Sequence, residues 1–367
     1  MRENPILLTP GLLTTSDRTR AALNRDWGSR ERDFMELTRT LRTRLLELVD
    51  ANDKYACIPM QGSGTFAVEA TLGSLIPSDA KLLIIINGVY GHRMAKMCDR
   101  LGRTYQIYET PEDVLPDPAE IARILATDKA IAYVAMVHCE TTSGILNPLE
   151  AIAKVTADAG CHLLVDAMSS FGILPISLKN TPIAAAIASA NKGLEGVPGL
   201  AFTICRRSLL AAGQSHSLAL DLHDQWEVLE RTGQWRYTPP TQVVAALVTA
   251  LDRLDEEGGV KGRYDRYQRL CAILREGMEK LGFEPFLPPD LQAPAIVTFK
   301  LPATPAFSFE EFYRRMGEEG FVIYPGKLTG QASFRIGCMG AIAEEDMHDA
   351  IAAAARTLHA MGDPLNA

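Results

Sequence analysis

His162-Leu-Leu-Val-Asp166 and, further along, Ser189-Ala-Asn-Lys192-Gly-Leu-Glu-Gly-Val-Pro-Gly199 are the stretches whose reading decides the fold. The first is a short apolar run ending in a carboxylate, the pattern of a buried strand with a polar C-terminal end. Outward from it the same rhythm repeats. Residues 81–87, 104–108 and 130–138 read as strands, and residues 91–101, 118–126 and 149–159 as the helices between them. Strands that are apolar throughout and alternate with helices predict a mainly parallel sheet covered on both faces, an α/β architecture. Residues 201–206 add a further strand, and a helix over 242–254 runs into Glu256-Glu-Gly-Gly259, where this part of the chain ends. Beyond it the pattern changes to α+β. A long amphipathic helix over 263–281 precedes short strands at 295–300, 321–324 and 333–337, and a helix over 343–358 closes the chain.

The chain has 367 residues, a length for two domains or one large domain with an appendage at roughly 150 residues per domain. With 47% hydrophobic and 22% charged residues it falls among ordinary soluble globular proteins, which excludes disordered, collagen-like and coiled-coil classes. The net charge of −8, from 37 Lys+Arg against 45 Asp+Glu, argues against nucleic acid as a partner, since that requires a basic face. It does not argue against a small anion, whose binding depends on the field inside one cleft. The first ten residues lack the positive-then-apolar layout of a secretory signal, and no apolar run reaches the roughly 18 to 20 residues of a membrane span. A cytoplasmic location without membrane contact is expected. The seven cysteines are scattered, with no C-x-x-C pair, so buried reduced thiols are expected in place of a disulfide framework or zinc site. His138-Cys139-Glu140 looks metal-like, but neighbours on a strand point to opposite faces, and no metal is expected there.

The chemistry concentrates at strand ends. Lys192 stands among small residues and glycines, where an amine that bonds to a carbonyl can shed its proton. Asp166 ends a strand at the edge where open α/β sheets place ligands, and could hold a pyridine nitrogen protonated. On spacing alone, a surface lysine and a helix-capping aspartate account for the pair more simply. Three other segments bear on the choice. Met60-Gln-Gly-Ser63-Gly64-Thr65 opens a helix with amides and hydroxyls suited to a phosphate, although such residues also serve as plain caps. Asn87-Gly-Val-Tyr90-Gly offers a ring between glycines, and His138-Cys-Glu-Thr141-Thr-Ser-Gly144 offers hydroxyls after another strand. Four such strand ends are hard to attribute to capping alone.

Together these motifs resemble the fold-type I pyridoxal-phosphate-dependent aminotransferases of class V. The resemblance runs from Leu7-Leu-Thr-Pro-Gly-Leu-Leu-Thr-Thr-Ser16 and Asp26-Trp-Gly-Ser-Arg30 to Phe334-Arg335-Ile-Gly337. Around Ser63 and Lys192 the wording is similar to the branch that acts on phosphonates. The chain departs from the family at Leu12, where Pro is frequent, and at Gly337-Cys-Met-Gly340.

The resemblance implies a large domain over residues 16–256, which binds pyridoxal 5′-phosphate. It also implies a smaller domain made from residues 1–15, an N-terminal arm, with residues 257–367. Lys192 would bond the cofactor and then move the proton, and Asp166 would pair with the ring nitrogen. Tyr90 would stack on the ring, and Thr141 would reach its 3-oxygen region. Ser63, Gly64, Thr65 and Asn191 would hold the phosphate, completed by Thr238 from the neighbouring subunit of a homodimer. Arg335 would clamp the substrate's acidic group, with Arg30 as a second contact. The implied reaction passes the amino group of 2-aminoethylphosphonate to pyruvate by a ping-pong route, giving phosphonoacetaldehyde and L-alanine. An alanine– or serine–glyoxylate aminotransferase is the nearest alternative, and a cofactor-free binding protein on the same fold is the alternative from another class.

Overall fold

The computed structural model describes residues 4–212, 215–362 and 364–365. Its strands are β1 (Ile6–Leu7), β2 (Tyr55–Gln61), β3 (Lys81–Ile86), β4 (Thr104–Glu109), β5 (Ile131–Val137), β6 (Cys139–Glu140), β7 (Ile145–Leu146) and β8 (His162–Asp166). They continue with β9 (Ile183–Ser189), β10 (Leu200–Arg206), β11 (Ile296–Lys300), β12 (Phe321–Val322), β13 (Tyr324–Pro325) and β14 (Ser333–Gly337). The helices are α1 (Asp17–Ala21), α2 (Arg32–Glu47), α3 (Gly64–Leu75), α4 (Val89–Leu101), α5 (Pro118–Thr127) and α6 (Leu149–Asp158). After them come α7 (Arg207–Ala212), α8 (Leu222–Thr232), α9 (Thr241–Glu256), α10 (Gly259–Lys280), α11 (Phe309–Glu318) and α12 (Glu344–Ala360).

Seven strands form the main sheet in the order β2-β10-β9-β8-β5-β3-β4. Five of them, from β9 to β4, run parallel. β10 is antiparallel to both β9 and β2, so β2 points the same way as the parallel set. The unbroken apolar runs have the physical cause expected for buried strands. Leu83 and Ile85 of β3 pack into a core with α2, α5, α6 and α9, while Leu82, Ile84 and Ile86 face a second core with α3, α4 and α8. The edge strand β4 differs from the expectation of wholly apolar strands. Thr104, Ile107 and Glu109 are exposed, because no neighbour covers that side. After β3 the chain pairs β4 on one side and β5 on the other, so the strand order reverses between them. Such a reversal opens a crevice at the C-terminal strand ends.

A third core lies under α10, α11 and α12 around the antiparallel sheet β11-β14-β13. Phe283 is its hub, with ring centroids of Phe299, Phe312 and Phe334 at 6.4, 5.4 and 5.2 Å. The single strand expected over residues 321–324 is two. Phe321–Val322 pairs in parallel with β1, and Tyr324–Pro325 pairs with β14, because the chain changes sheets at buried Ile323. The N-terminal arm lies flush on this sheet. Gly337 N–H donates to the Leu8 carbonyl at 2.9 Å, and a Cβ on Gly337 would sit 2.5 Å from the Thr9 carbonyl oxygen, so only glycine fits. Among the described residues no helix is long and apolar enough to cross a membrane.

Candidate active site

The C-terminal ends of β2, β3, β5, β8 and β9 converge on one cavity of about 180 Å³. Ser63, Gly64, Thr65, Tyr90, Thr141, Asp166, Asn191 and Lys192 all line it, joined by Arg93, Met168 and Ser189. Eight residues singled out in the sequence therefore meet in one place.

Asp166 ends β8 and turns inward; one carboxyl oxygen accepts from the Met168 amide at 3.0 Å. Burial, opposed by that bond and by Lys192, pushes its pKa up to about 6. Lys192 follows β9, and its Nζ donates to the Pro10 carbonyl of the N-terminal arm. Burial draws its pKa down to about 8 against the pull of Asp166. Asn191 Nδ2 donates to the next carbonyl, of Gly11, so the arm closes the cavity over both residues. In the cofactor-free protein these shifts set a pH dependence of stability. The folded state holds the Asp166 proton more tightly than the unfolded chain does, so stability falls as pH rises to about 6. The folded state holds the Lys192 proton less tightly, so stability recovers as pH rises above about 8. Asp166→Asn is expected to remove the first slope and leave the second, read from urea midpoints across pH.

Ser63 stands at the N-cap of α3, yet its side chain makes no capping bond, so its hydroxyl and the first amides of the helix open toward the cavity. The plain-cap alternative for this serine does not hold. Gly64 is bare for a reason: a Cβ there would lie 2.5 Å from Met168 Sδ. Methionine is flexible enough to yield, but into the cavity. Gly64→Ala is therefore expected to weaken cofactor binding about tenfold while the protein still folds, measured by titrating cofactor-free protein.

Sequence reasoning missed several groups here. Arg93, one turn after Tyr90 on α4, donates to Thr65 Oγ1 at 3.2 Å and stacks over the Tyr90 ring at 4.7 Å. The i, i+3 spacing of Tyr90 and Arg93 at a helix start was the available signal. Glu140 is wholly buried; it accepts from Thr142 N (3.1 Å), Thr142 Oγ1 (2.7 Å) and Tyr90 N (3.3 Å). Burial pushes its pKa up to about 7. Arg335, on β14 and 1% exposed, donates to the carbonyls of Thr141 (3.0 Å) and Pro325 (3.2 Å) just behind the cavity wall. Burial lowers its pKa, while Tyr90 and Glu140 beside it act the other way. Lys327, two residues past Pro325, is lowered by burial and then by the charges of Arg335 and Arg93. Arg30 and Thr238 are exposed in the single chain and lie outside the cavity. His138 is buried as a neutral ring with its pKa pushed down to about 4, and Cys139 lies on a separate short strand.

A buried carboxyl with a raised pKa, a neutralisable lysine and an uncapped helix start, all facing one cavity, are what a phosphorylated pyridine aldehyde requires of a protein. A class of enzymes is built on this arrangement. The family described as Aminotransferase class-V matches residues 13–334, and the chain belongs to that family, whose enzymes use pyridoxal 5′-phosphate.

Among relatives, the 2-aminoethylphosphonate–pyruvate transaminase of Pseudomonas putida is 51% identical over 98% of this chain and 99% of its own. The protein of the same name from Pseudomonas aeruginosa is 52% identical, over 96% of each chain. Solved structures with the same fold include the alanine–glyoxylate aminotransferase from Nostoc sp., with a TM-score of 0.89 and 24% identity over 98% of this chain and 96% of that one. The pyridoxamine–pyruvate aminotransferase from Mesorhizobium loti gives a TM-score of 0.88 and 24% identity, over 98% of this chain and 93% of that one.

Proposed function

We propose that the protein transfers the amino group of 2-aminoethylphosphonate to pyruvate, releasing phosphonoacetaldehyde and L-alanine in a ping-pong cycle. The observation that carries the choice of donor is the cationic side of the cavity. Arg93 in the cavity wall, and Arg335 and Lys327 just behind it, gather around the buried acid Glu140, on the side away from Asp166, and the Glu140 pKa near 7 leaves it only partly charged. An excess of positive charge suits a phosphonate dianion. A pocket built for carboxylates alone, as in an alanine– or serine–glyoxylate aminotransferase, needs only one guanidinium fork. The names of the half-identical relatives support the same reading.

When bound, pyridoxal phosphate supplies the electron sink that makes the carbon–hydrogen bond beside the substrate nitrogen acidic. Each of this chain's groups then has a definite task. Lys192 Nζ would bond the cofactor between turnovers and, once free, would take a proton from the substrate carbon and give it back. Asp166 would keep a proton on the ring nitrogen. Ser63, Gly64, Thr65 and Asn191 hold the phosphate, with Arg93 adding charge through Thr65. Tyr90 would pack on the ring, Thr141 would reach its 3-oxygen, and Arg335 would hold the substrate's acidic group. The Pro10–Gly11 arm limits water at the amine.

The proposal treats residues 16–256 as the cofactor domain and residues 1–15 with 257–367 as the smaller one, supported by the separate core around Phe283. It places the protein in the cytoplasm, supported by its seven free thiols, and as a homodimer with Thr238 and Arg30 acting at the subunit interface. Phe66 and Tyr237, each 50% exposed and next to Thr65 and Thr238, give that interface an apolar edge. Sedimentation of the holoenzyme at twice the chain mass is the expected result.

The substrate assignment is tested by half-reactions, following conversion of the bound cofactor from aldehyde to amine form by absorbance. 2-Aminoethylphosphonate is expected to convert it rapidly. If serine or alanine does so and 2-aminoethylphosphonate does not, the glyoxylate reading replaces this one. A protein that binds no cofactor would be a binding protein on the same fold.

A further inference from the structure

Three residues past Lys192, at Glu195, the backbone enters the left-handed region with φ of 57°, a conformation that a residue with a Cβ adopts only when its surroundings force it. The Glu195 amide donates to the Lys192 carbonyl at 2.8 Å and so closes the turn on which the lysine stands. Its carboxylate is 1% exposed. It accepts from the Tyr267 hydroxyl at 2.6 Å and Arg266 Nη2 at 2.6 Å, with Arg253 Nη1 at 3.4 Å and Arg263 Nη1 at 3.6 Å. Arg263 also donates to the carbonyl of Gly193, the residue after the lysine, at 2.6 Å. α10 thus grips the lysine turn from two sides.

The same α10 residues grip a second segment. The Tyr267 hydroxyl accepts from the Gly340 amide at 2.9 Å, and Arg266 Nη1 donates to the Gly340 carbonyl at 2.7 Å. Gly340 lies just beyond the end of β14, the strand that carries Arg335. A second acid, Glu257, takes Arg263 Nε and Arg266 Nε at 2.6 Å each and completes the cluster. None of these side chains lines the cavity. For stability alone, apolar packing serves as well as a buried ionic cluster, whereas the cluster can fix one geometry. The forced backbone at Glu195 is an independent sign of the same demand.

We infer that Glu195 is a positioning residue: through Tyr267 and Arg266 it sets the Lys192 turn and the Arg335 strand in one fixed relation. The amine that moves the proton and the guanidinium that holds the substrate's acid group are thereby kept at a constant spacing. The inference rests on the proposed roles of Lys192 and Arg335. Two atoms that must reach different parts of one small substrate lose rate steeply when their spacing drifts.

The test compares holoenzymes of the parent, Glu195→Gln, Glu195→Asp and Tyr267→Phe. Tyr267→Phe deletes one hydroxyl from a packed ring and leaves the charges in place, so it decides the matter if Glu195→Gln fails to fold. In each folded variant kcat for both half-reactions is expected to fall at least tenfold with KM changed less than threefold, and Glu195→Asp is expected to retain more rate than Glu195→Gln. The pH midpoint of the visible absorbance of the Lys192-bound cofactor is expected to move with kcat, because a loosened turn lets water reach the lysine nitrogen. Folded variants with parental kcat and midpoint, differing only in melting temperature, would show plain structural glue and overturn the inference. A parent that 2-aminoethylphosphonate does not convert overturns the substrate reading instead, and the comparison then runs with whichever amino donor does convert it.

Discussion

Lys192→Ala is expected to reduce the rate of each half-reaction by about four orders of magnitude or more while the protein still folds and still binds the cofactor phosphate. The expectation follows from what else is present. Among the described residues Lys192 is the one amine lining the cavity, with the guanidinium of Arg93 as the other cation in its wall. Burial already brings Lys192 to about 8, near enough to neutrality for it to act as a base. Lys192→Arg keeps the charge and is expected to be as slow as the alanine variant. A lysine that only balanced Asp166 would show the reverse, with the arginine variant largely active. Single-turnover absorbance measurements with saturating amino donor distinguish the two, and melting temperatures control for folding.

The second large effect is expected at Arg335. Arg335→Ala removes a guanidinium that is 1% exposed, and leaves the Thr141 and Pro325 carbonyls without their donor. A loss of about 10²- to 10³-fold in kcat/KM is expected, corresponding to roughly 3 to 4 kcal/mol for a buried charged contact. In the proposed cycle both half-reactions use this pocket, so the loss is expected with 2-aminoethylphosphonate and with alanine alike. Arg335→Lys is expected to recover little, because an ammonium cannot hold two backbone carbonyls and still present a fork to the substrate. A variant impaired with only one of the two donors would mean that phosphonate and carboxylate have separate clamps.

How much of this was legible in the sequence depends on the distance over which each feature is decided. β8 and β14 lie where the sequence pattern places them, to the residue; β8 does so because a strand buried on both faces writes itself as a continuous apolar run. β2 was not read as a strand. It carries Pro59, which a ladder tolerates only at an edge, and β2 is indeed the edge strand of its sheet. The cavity residues were legible because each follows a strand end, and strand ends of one parallel sheet meet by construction. In His138-Cys139-Glu140 the acid looks like part of a metal-like motif, which hides its role. A lone acid inside an apolar stretch was the better clue to a buried role. Glu195, Arg266 and Tyr267 were silent because nothing local announces a pairing between a loop and a distant helix. Arg30 and Thr238 carried meaning only through the family resemblance; a single chain leaves both on the surface.

The pairing of β1 with β12 has a consequence for how the protein is made. Ile6 and Leu7 leave the ribosome more than 300 residues before their partners Phe321 and Val322. Until then the arm has no strand to join, and Pro10 and Gly11 have no fixed place above Lys192 and Asn191. Contacts between such distant positions form late, since a long loop must close before they yield anything. In a chain that stops short of Phe321 the arm lacks its strand partner, and the cover over Lys192 and Asn191 is not anchored. Assembly of a sealed site thus reports that translation has passed Val322.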